Sequence, residues 1–599
     1  MKKLIDKLFS YQGIRFLFVG GLNTVVGYGV YALLLFCNVN YLVANTISTI
    51  IGIAHSYLWN RFFTFKSKDK ALGEITKFVS VYFASYLIGM LTLYIFKSKL
   101  NISPYIAGLI NLVITTLISY FGHKYISFRK HDSKGVINKL TDISKGPLKI
   151  EWILLGSLLV FCFFSFNHPD ITATATHGKD LLECILNGKF LDFYDYTSST
   201  AVYLIPLYLV FAIWSIPVMV FYKIFNLEVW GVLEYGAIKS YLLWWYKLLP
   251  VLFTFGTAFI IKKICVELGM SDSKKKWTIF LFLSSPLLVY SQFVFGQYDS
   301  ICMFLTTLSF LYYLRKDYTK FSIIMSVAIT FKMFPLFIFI PLILLSEKRL
   351  LHIAKHMCIG MVGTLISNVL FLNSPGFMEA KSFTSGMVER FFLSGISVFS
   401  GVFSIFLFIF IGVCVYSYMK KITSETEYYT NSIYICLVLY SMFFAFVLWH
   451  PQWIILLTPF LVLGIVINKN VKTSLILSAC VSGLFLLLTI YLYKNNADEV
   501  LINFGIFPII FNKTLSGGAV LHNALTKVGI LKSGMLTTLF VSVLIINLII
   551  KYPTKDRVKE IEIEMKNKDF EDTPKGYLLM QVLPILVLIG PAIIIFFLK

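Results

Sequence analysis

Apolar runs of about 20 residues, the length at which a helix crosses a bilayer, recur along the whole chain and are parted by short polar breaks. Residues 14 to 66 read as a helical hairpin with a polar turn at Cys37–Tyr41, and residues 76 to 129 repeat it at a period of roughly 62 residues. Arg15-Phe16 corresponds to Lys77-Phe78, Ala44 to Ala107, Ser56-Tyr57 to Ser119-Tyr120, Arg61 to Lys124, and Thr64-Phe65-Lys66 to Ser127-Phe128-Arg129. Each copy holds two spans, so both enter the membrane the same way round, as parallel repeats of transporters do.

A polar, basic stretch from 131 to 149, punctuated by Gly146-Pro147, separates this four-helix module (residues 1–130) from a larger one (150–599). The second module begins with a span at Trp152–Asn167 and an acidic loop over 168–200, which carries Asp170, Asp180, Glu183, Asp192 and Asp195 against Lys179 and Lys189. Residues 201–225 are long enough to cross, but Pro206 and Pro217 interrupt them. One crossing there would put Lys262, Lys263 and Lys274–Lys276 outside, so a pair of interfacial or re-entrant helices is predicted. The run 321–346 is basic at both ends and is predicted to enter and return, turning near Lys332–Pro335. Further spans are predicted near 241–261, 277–295, 300–314, 353–372, 396–418, 431–449, 453–467, 473–493, 530–550 and 578–598, with a cytoplasmic charged loop at 551–576 that is either solvated throughout or holds one short helix. The fold class is all-α: a polytopic integral membrane protein built from a duplicated hairpin and a multi-helix module with re-entrant or interfacial helices.

Composition agrees, with 57% of the 599 residues hydrophobic, 14% charged and a mean hydropathy of +0.78. No soluble core of this size could hide so much apolar side chain. The net charge of +22 comes from Lys and Arg between spans, which set topology and meet anionic lipid, rather than from one basic face, so nucleic acid is not a partner. The nine cysteines are scattered and show no C-x-x-C pair, which argues against a disulfide framework or a zinc site. The start, MKKLIDKLFSYQGIRF, lacks a cleavage site and is expected to stay in the cytoplasm.

In the first module, RFLFVGGLNTVVGYGVYALLL followed by NRFFTF resembles the GtrA-like small flippase family over about residues 12 to 130. That resemblance implies movement of a polyprenyl-phosphate monosaccharide between leaflets. Arg15, Arg61 and Lys124 at cytoplasmic helix ends are candidates to grip a phosphate. Asn23, Asn45, Asn60 and Asn111, inside or beside spans, are costly unless they are paired or line a polar path. The alternative is that the Asn residues pack helix on helix and the cations only set topology. Gly27 stands where the family often has an acidic residue, and Lys124 where Arg is common. Pairing of copies through this module is left open.

In the second module the predicted topology gathers Asp170, Asp299 in GQYDS, Lys332 in FKMFP, Arg390 in a loop over 373–394, and His450 and Gln452 in WHPQW at the outer boundary. Charges at such a boundary are functional candidates, the alternative being contact with lipid headgroups. Together with the acidic HPDITATATHG…GKFLDFYDY, the apolar TFKMFPLFIFIPLILL and the late WHPQWIILLTPFL, they resemble the GT-C class of glycosyltransferases over about residues 150 to 550. The resemblance implies a hexosyltransferase that takes sugar from a polyprenyl phosphate, with inversion and without a metal or other cofactor. It makes Asp170 the base, with Asp192 or Asp195 as fallback. Lys332 and Arg390 would meet the leaving phosphate, His450 and Gln452 the sugar or phosphate, and Asp299 the sugar or Lys332.

No Gly-rich strand-to-helix turn or D-x-D marks a nucleotide-sugar site, so the donor is expected ready-made from a separate cytoplasmic glycosyltransferase. The composition, rich in Lys, Ile and Phe, fits a low-GC bacterium. The expected location is the bacterial plasma membrane, with an envelope glycan, teichoic acid or glycolipid as acceptor. A flippase or transporter without transferase activity, and a polysaccharide polymerase or ligase, remain the competing readings.

Overall fold

In a computed structural model of the chain the apolar runs fold as helices, and the protein is an all-α polytopic membrane protein. The structure describes residues 146–197, 200–224, 240–393, 395–398, 401–468, 470–511, 513–516, 518–530 and 532–566, with 581–596 in part; in the first unit it describes 51–64 and scattered positions within 16–30, 78–85 and 118–123. The chain divides into two units, Met1–Thr141 and Asp142–Lys599. Among the described residues six helices are long and apolar enough to cross a membrane, or up to eight if each of two bent pairs is one span.

In the first unit the duplication has a structural signature. Tyr57 packs edge-on against Phe78 with ring centroids 5.3 Å apart, and its repeat counterpart Tyr120 packs in the same way against Phe16 at 5.4 Å. Each copy thus lends a tyrosine to the other's phenylalanine. The polar side chains between them are paired: Ser56 Oγ lies 2.6 Å from Tyr82 Oη, and Ser119 Oγ donates to Ser85 Oγ at 3.0 Å.

The second unit opens with α1 (Lys149–Ser165), whose first turn is closed by the Glu151 carboxylate accepting the Leu148 N–H at 2.7 Å. The loop expected over 168–200 instead contains a helix, α2 (Asp170–Leu186), bent 72° from α1. Its threonines mask a helical stripe, Ile171, Ala175 and Gly178, that is buried against α3 (Ile205–Ile224). A Cβ on Gly178 would stand 2.5 Å from Phe211 Cβ, so this glycine sets how closely the two helices approach.

Helix α3 corrects a second expectation. Residues 205–224 form one 20-residue helix, not an interfacial or re-entrant pair. Pro206 lies in the first turn, where its missing N–H costs nothing, and Pro217 removes only one bond from a helix exposing Ile213, Ile216, Val220, Phe221 and Ile224 to lipid.

There follow α4 (Ser240–Glu267), α5 (Asp272–Ser284), a π-helical turn at Val289–Phe295, α6 (Asp299–Leu314), α7 (Tyr318–Phe331), α8 (Pro335–Ser346), α9 (Leu350–Val369) and α10 (Pro375–Leu393). The break between α7 and α8 falls at Lys332–Phe334, within the predicted turn. The loop expected at 373–394 is the helix α10, and the span expected at 396–418 begins as a hairpin. There β1 (Gly395–Val398) pairs antiparallel with β2 (Gly401–Ser404) before α11 (Ile405–Met419). Alternating side chains between two glycines in GISVFSGVF have strand period, which the apolar count over 396–418 concealed.

The unit continues with α12 (Glu425–Phe446), a 3-10 turn at Pro451–Leu457 leading into α13 (Thr458–Val466), α14 (Val471–Tyr493), α15 (Ser533–Lys551) and α16 (Lys555–Lys566). The last of these lies within the expected charged loop. The span expected at 578–598 lies largely outside the described residues.

Between α14 and α15 the chain returns to the end of α1. Ile506 N–H donates to Phe164 O and Asn167 N–H to Leu501 O, both at 2.9 Å. A methyl group on Gly505 would collide with the Ser165 carbonyl. Gly505→Ala is therefore expected to lower stability by about 1–3 kcal/mol, seen as a lower apparent melting temperature of the detergent-purified protein. An unchanged melt would show that this docking is not tight.

Candidate active site

The sequence Gly296-Gln297-Tyr298-Asp299 joins the π-helical turn to α6, and every residue of it meets a functional group. Gly296 has φ +83°, a left-handed conformation that side chains resist, and a Cβ there would lie 2.8–2.9 Å from three carbons of the Lys247 stem. Gln297 donates from Nε2 to Asp170 Oδ2 at 2.5 Å, while its Oε1 accepts the Tyr298 N–H at 3.0 Å, which fixes the amide's orientation. Tyr298 faces Lys332, and Asp299, 1% exposed, forms an ion pair with it.

Asp170 opens α2 and is reached through a stiffened lead-in. The His168 ring stacks on Phe295 at 4.0 Å, its backbone N–H donates to Phe295 O at 3.2 Å, and its ring Nδ1 accepts the Asp170 N–H at 3.1 Å. Pro169 precedes the helix, and its carbonyl accepts the Thr172 hydroxyl. Asp170 lines a cavity of about 320 Å³ with His168, Tyr290, His450, Gln452 and Tyr493 among its walls. Gln452 Oε1 is buried in that wall without a hydrogen-bond partner.

Lys332 projects from the break between α7 and α8, where its backbone is extended and Pro335 restarts the helix without needing an N–H. Its ammonium lies 3.3 Å from Asp299 Oδ1, in a geometry that gives neither carboxylate oxygen a hydrogen bond, and donates to Tyr203 Oη at 3.2 Å. The rings of Tyr203, Tyr298 and Trp453 surround it at 4.5, 5.4 and 5.4 Å. Lys332 lines a second, larger cavity of about 560 Å³ whose walls are mostly apolar, Ile329, Leu336, Met361 and Phe377 among them, with Lys381 and Asn368 as further polar groups. Tyr203, His450, Trp453 and Tyr493 belong to both cavities. The chamber holding the carboxylate and the chamber holding the ammonium therefore meet at one aromatic partition.

One residue holds this arrangement together that the sequence did not mark. Lys247, from the N-terminal third of α4, is fully buried, and its ammonium donates to Phe166 O at 2.6 Å, Phe293 O at 2.8 Å, Phe163 O at 3.1 Å and Val294 O at 3.4 Å. Those carbonyls end α1 and the π-helical turn, just before Asp170 and Gln297 respectively. Tyr203, Gln297, Tyr298 and Trp453 were also missed as site residues. The GQYDS and WHPQW motifs contained three of them, while nothing in the sequence singled out Tyr203 or Lys247.

The other expected residues lie elsewhere. Asp192 is exposed in a 3-10 turn, and Asp195 Oδ1 caps α10 by accepting the Gly376 N–H at 2.7 Å, so neither joins Asp170 in its cavity. Arg390 is on α10, its side chain outside the described residues. In the first unit, Asn60 Nδ2 donates to Ser56 Oγ at 3.2 Å and Arg61 to Tyr57 Oη at 2.6 Å, while Asn23 Oδ1 and Asn60 Oδ1 are buried without hydrogen bonds. Arg15 and Lys124 lie outside the described residues.

Comparison with known proteins bears on the first unit. A family model for the GtrA/DPMS transmembrane domain matches residues 15–128. The N-terminal module is a GtrA/DPMS transmembrane domain. The chain is 45% identical over 85 residues to the uncharacterized membrane protein YngA of Bacillus subtilis (strain 168), an overlap of 14% of this chain and 57% of that one. It is 26% identical over 140 residues to the cell wall teichoic acid glycosylation protein GtcA of Listeria monocytogenes, covering 22% of this chain and 96% of GtcA. It is also 25% identical over 126 residues to the uncharacterized membrane protein YwcD of Bacillus subtilis, covering 20% of this chain and 99% of YwcD. No solved structure matches.

Lys247→Met would leave the four carbonyls without their charged donor inside the protein. It is expected to cost at least about 3 kcal/mol, and Gly296→Ala about 1–3 kcal/mol, both measurable as shifts in thermal unfolding. If Lys247→Met melted like the wild type, the clamp would not contribute to stability.

Proposed function

We propose that the chain is a membrane glycosyltransferase that moves a monosaccharide from a polyprenyl-phosphate donor to an extracytoplasmic envelope acceptor, and that its GtrA/DPMS domain delivers the donor. The observation that carries this reading is the pair of joined chambers, one polar with Asp170 at its wall, the other apolar with Lys332 at its end. A lipid phosphate needs a cation beside apolar surface, and the large chamber has both. A sugar hydroxyl needs a base, and Asp170 is open to the small one. The GtrA/DPMS match and the name of GtcA, a cell wall teichoic acid glycosylation protein, support a role in envelope glycosylation.

The transfer is an inverting displacement. The acceptor hydroxyl gives its proton to Asp170 as its oxygen attacks the anomeric carbon. The carbon–oxygen bond to the phosphate breaks, and its electron pair stays on the polyprenyl phosphate, whose charge Lys332 meets. Base and leaving group must stand on opposite faces of the sugar, which suits a sugar lodged at the Tyr203–Trp453 partition. Gln297 holds the Asp170 carboxylate in direction, and Gln452 Oε1 is free to accept a sugar hydroxyl. In this reading the N-terminus is cytoplasmic and the site extracytoplasmic.

The test is mass spectrometry of envelope polymers from a deletion strain. One polymer should lose a sugar and regain it with the wild-type chain. Asp170→Asn is expected to cut transfer by about 10²–10⁴-fold with donor binding retained, the scale of a lost general base. Lys332→Met is expected to weaken donor binding as well. Full activity of Asp170→Asn would leave export of a lipid-linked sugar without transfer as the better reading. Removal of residues 1–130 is expected to reduce transfer in cells but not with donor supplied directly to the isolated protein.

A further inference from the structure

Beside the site described above, α2 lines a third hollow of about 530 Å³ with Thr176, His177 and Asp180, closed by Tyr196, Thr197 and Thr200. His177 comes seven residues after Asp170, two helical turns and about 10 Å along the same helix face. The chain continues from Thr200 in this groove to Tyr203, which lines both chambers of the transfer site. A chain lying along α2 could place one end in the groove and its reacting end at Asp170.

The lining has a definite chemistry. It offers hydroxyls, an imidazole whose Nε2 lies 2.9 Å from Thr200 Oγ1, and the ring of Tyr196, which is 54% exposed and steadied by its hydroxyl bond to Glu183 at 3.1 Å. No Lys or Arg is among the described residues that line it. Its one carboxylate, Asp180, is paired with Lys179 at 2.8 Å, and a second, Glu183, holds the Tyr196 hydroxyl. A phosphate-bearing polymer would need cations in the wall, and the described lining residues supply none. An uncharged saccharide needs hydroxyl partners and an aromatic face, and finds both.

We propose that this groove is the acceptor subsite and that the acceptor is a neutral, hydroxyl-rich glycan, not a polyanion. The assignment rests on the transferase reading for the word acceptor, but its test does not depend on turnover. Full-length protein in nanodiscs is titrated, by saturation-transfer difference NMR, with neutral hexasaccharides of glucose and of N-acetylglucosamine and with a glycerol-phosphate hexamer. A neutral hexasaccharide should bind and the anionic one should not. Tyr196→Ala should weaken that binding about tenfold, the scale of one lost aromatic contact, and Tyr196→Phe should retain it. Tyr196 is exposed, so neither variant threatens folding. Tighter binding of the glycerol-phosphate chain, absence of binding by either neutral glycan, or indifference to Tyr196→Ala would overturn the proposal. Glycan binding at the groove in a protein whose Asp170→Asn variant still glycosylates the envelope would instead sink the transferase mechanism alone.

Discussion

The second unit depends on a single ammonium group inside the membrane protein. Lys247 brings three N–H donors to four carbonyls at the ends of two helical segments, where the backbone has run out of partners of its own. In a medium without water those carbonyls must be satisfied internally. A water molecule could not also supply the positive charge favoured at helix C-termini. The solution fixes where α1 and the π-helical turn stop, and therefore where Asp170 and Gln297 begin. It also explains the glycine of GQYD: the Lys247 stem passes through the space a side chain would fill.

The site this clamp supports is costly by design. Lys332 and Asp299 are both buried, and burial of such a pair is repaid only in part by their attraction. The geometry leaves that attraction incomplete, with both Asp299 oxygens lacking a hydrogen bond and the ammonium shared with Tyr203 and three rings. A fully satisfied lysine would have nothing to offer an incoming phosphate. An aromatic cage holds the cation by ring quadrupoles rather than by counter-charge, so it stays ordered and still able to receive an anion.

How much of this could be read from sequence follows physical range. The spans were legible because apolar length is a local property, and the duplicated hairpin because its repeat aligns residue by residue; the reciprocal packing of Tyr57 on Phe78 and Tyr120 on Phe16 is the same pattern seen in space. Asp170, Asp299, Lys332, His450 and Gln452 stood out because polar groups at apolar boundaries are conspicuous; four of them line the two chambers, and Asp299 lies behind the wall, paired with Lys332. What failed was whatever depended on partners distant in sequence. Helix α2 hides among threonines until α3 covers its buried stripe. Helix α3 was broken on account of two prolines, of which only one lies where an N–H is missed. Lys247 looked like an ordinary lysine in an apolar run, because nothing local reveals that two helix ends will converge on it.

The two units use polarity differently, and the difference matches their proposed tasks. In the GtrA/DPMS domain the described interior polar contacts of Ser56, Asn60, Tyr82, Ser85 and Ser119 are neutral hydrogen bonds. Each is worth about 1 kcal/mol net, so the helices can exchange partners at small cost, as passage of a polar headgroup requires. In the second unit the interior polar contacts that matter centre on two buried lysines, Lys247 on its carbonyls and Lys332 against Asp299. Breaking the Lys332–Asp299 pair exposes an unpaired charge at a cost of several kcal/mol, and removing Lys247 leaves its carbonyls without a donor. Such a scaffold resists rearrangement, which preorganised catalysis demands. On the proposed functions, a domain that yields to its cargo and a domain that holds firm around its transition state are built from the same apolar helices and differ in the polar groups they bury.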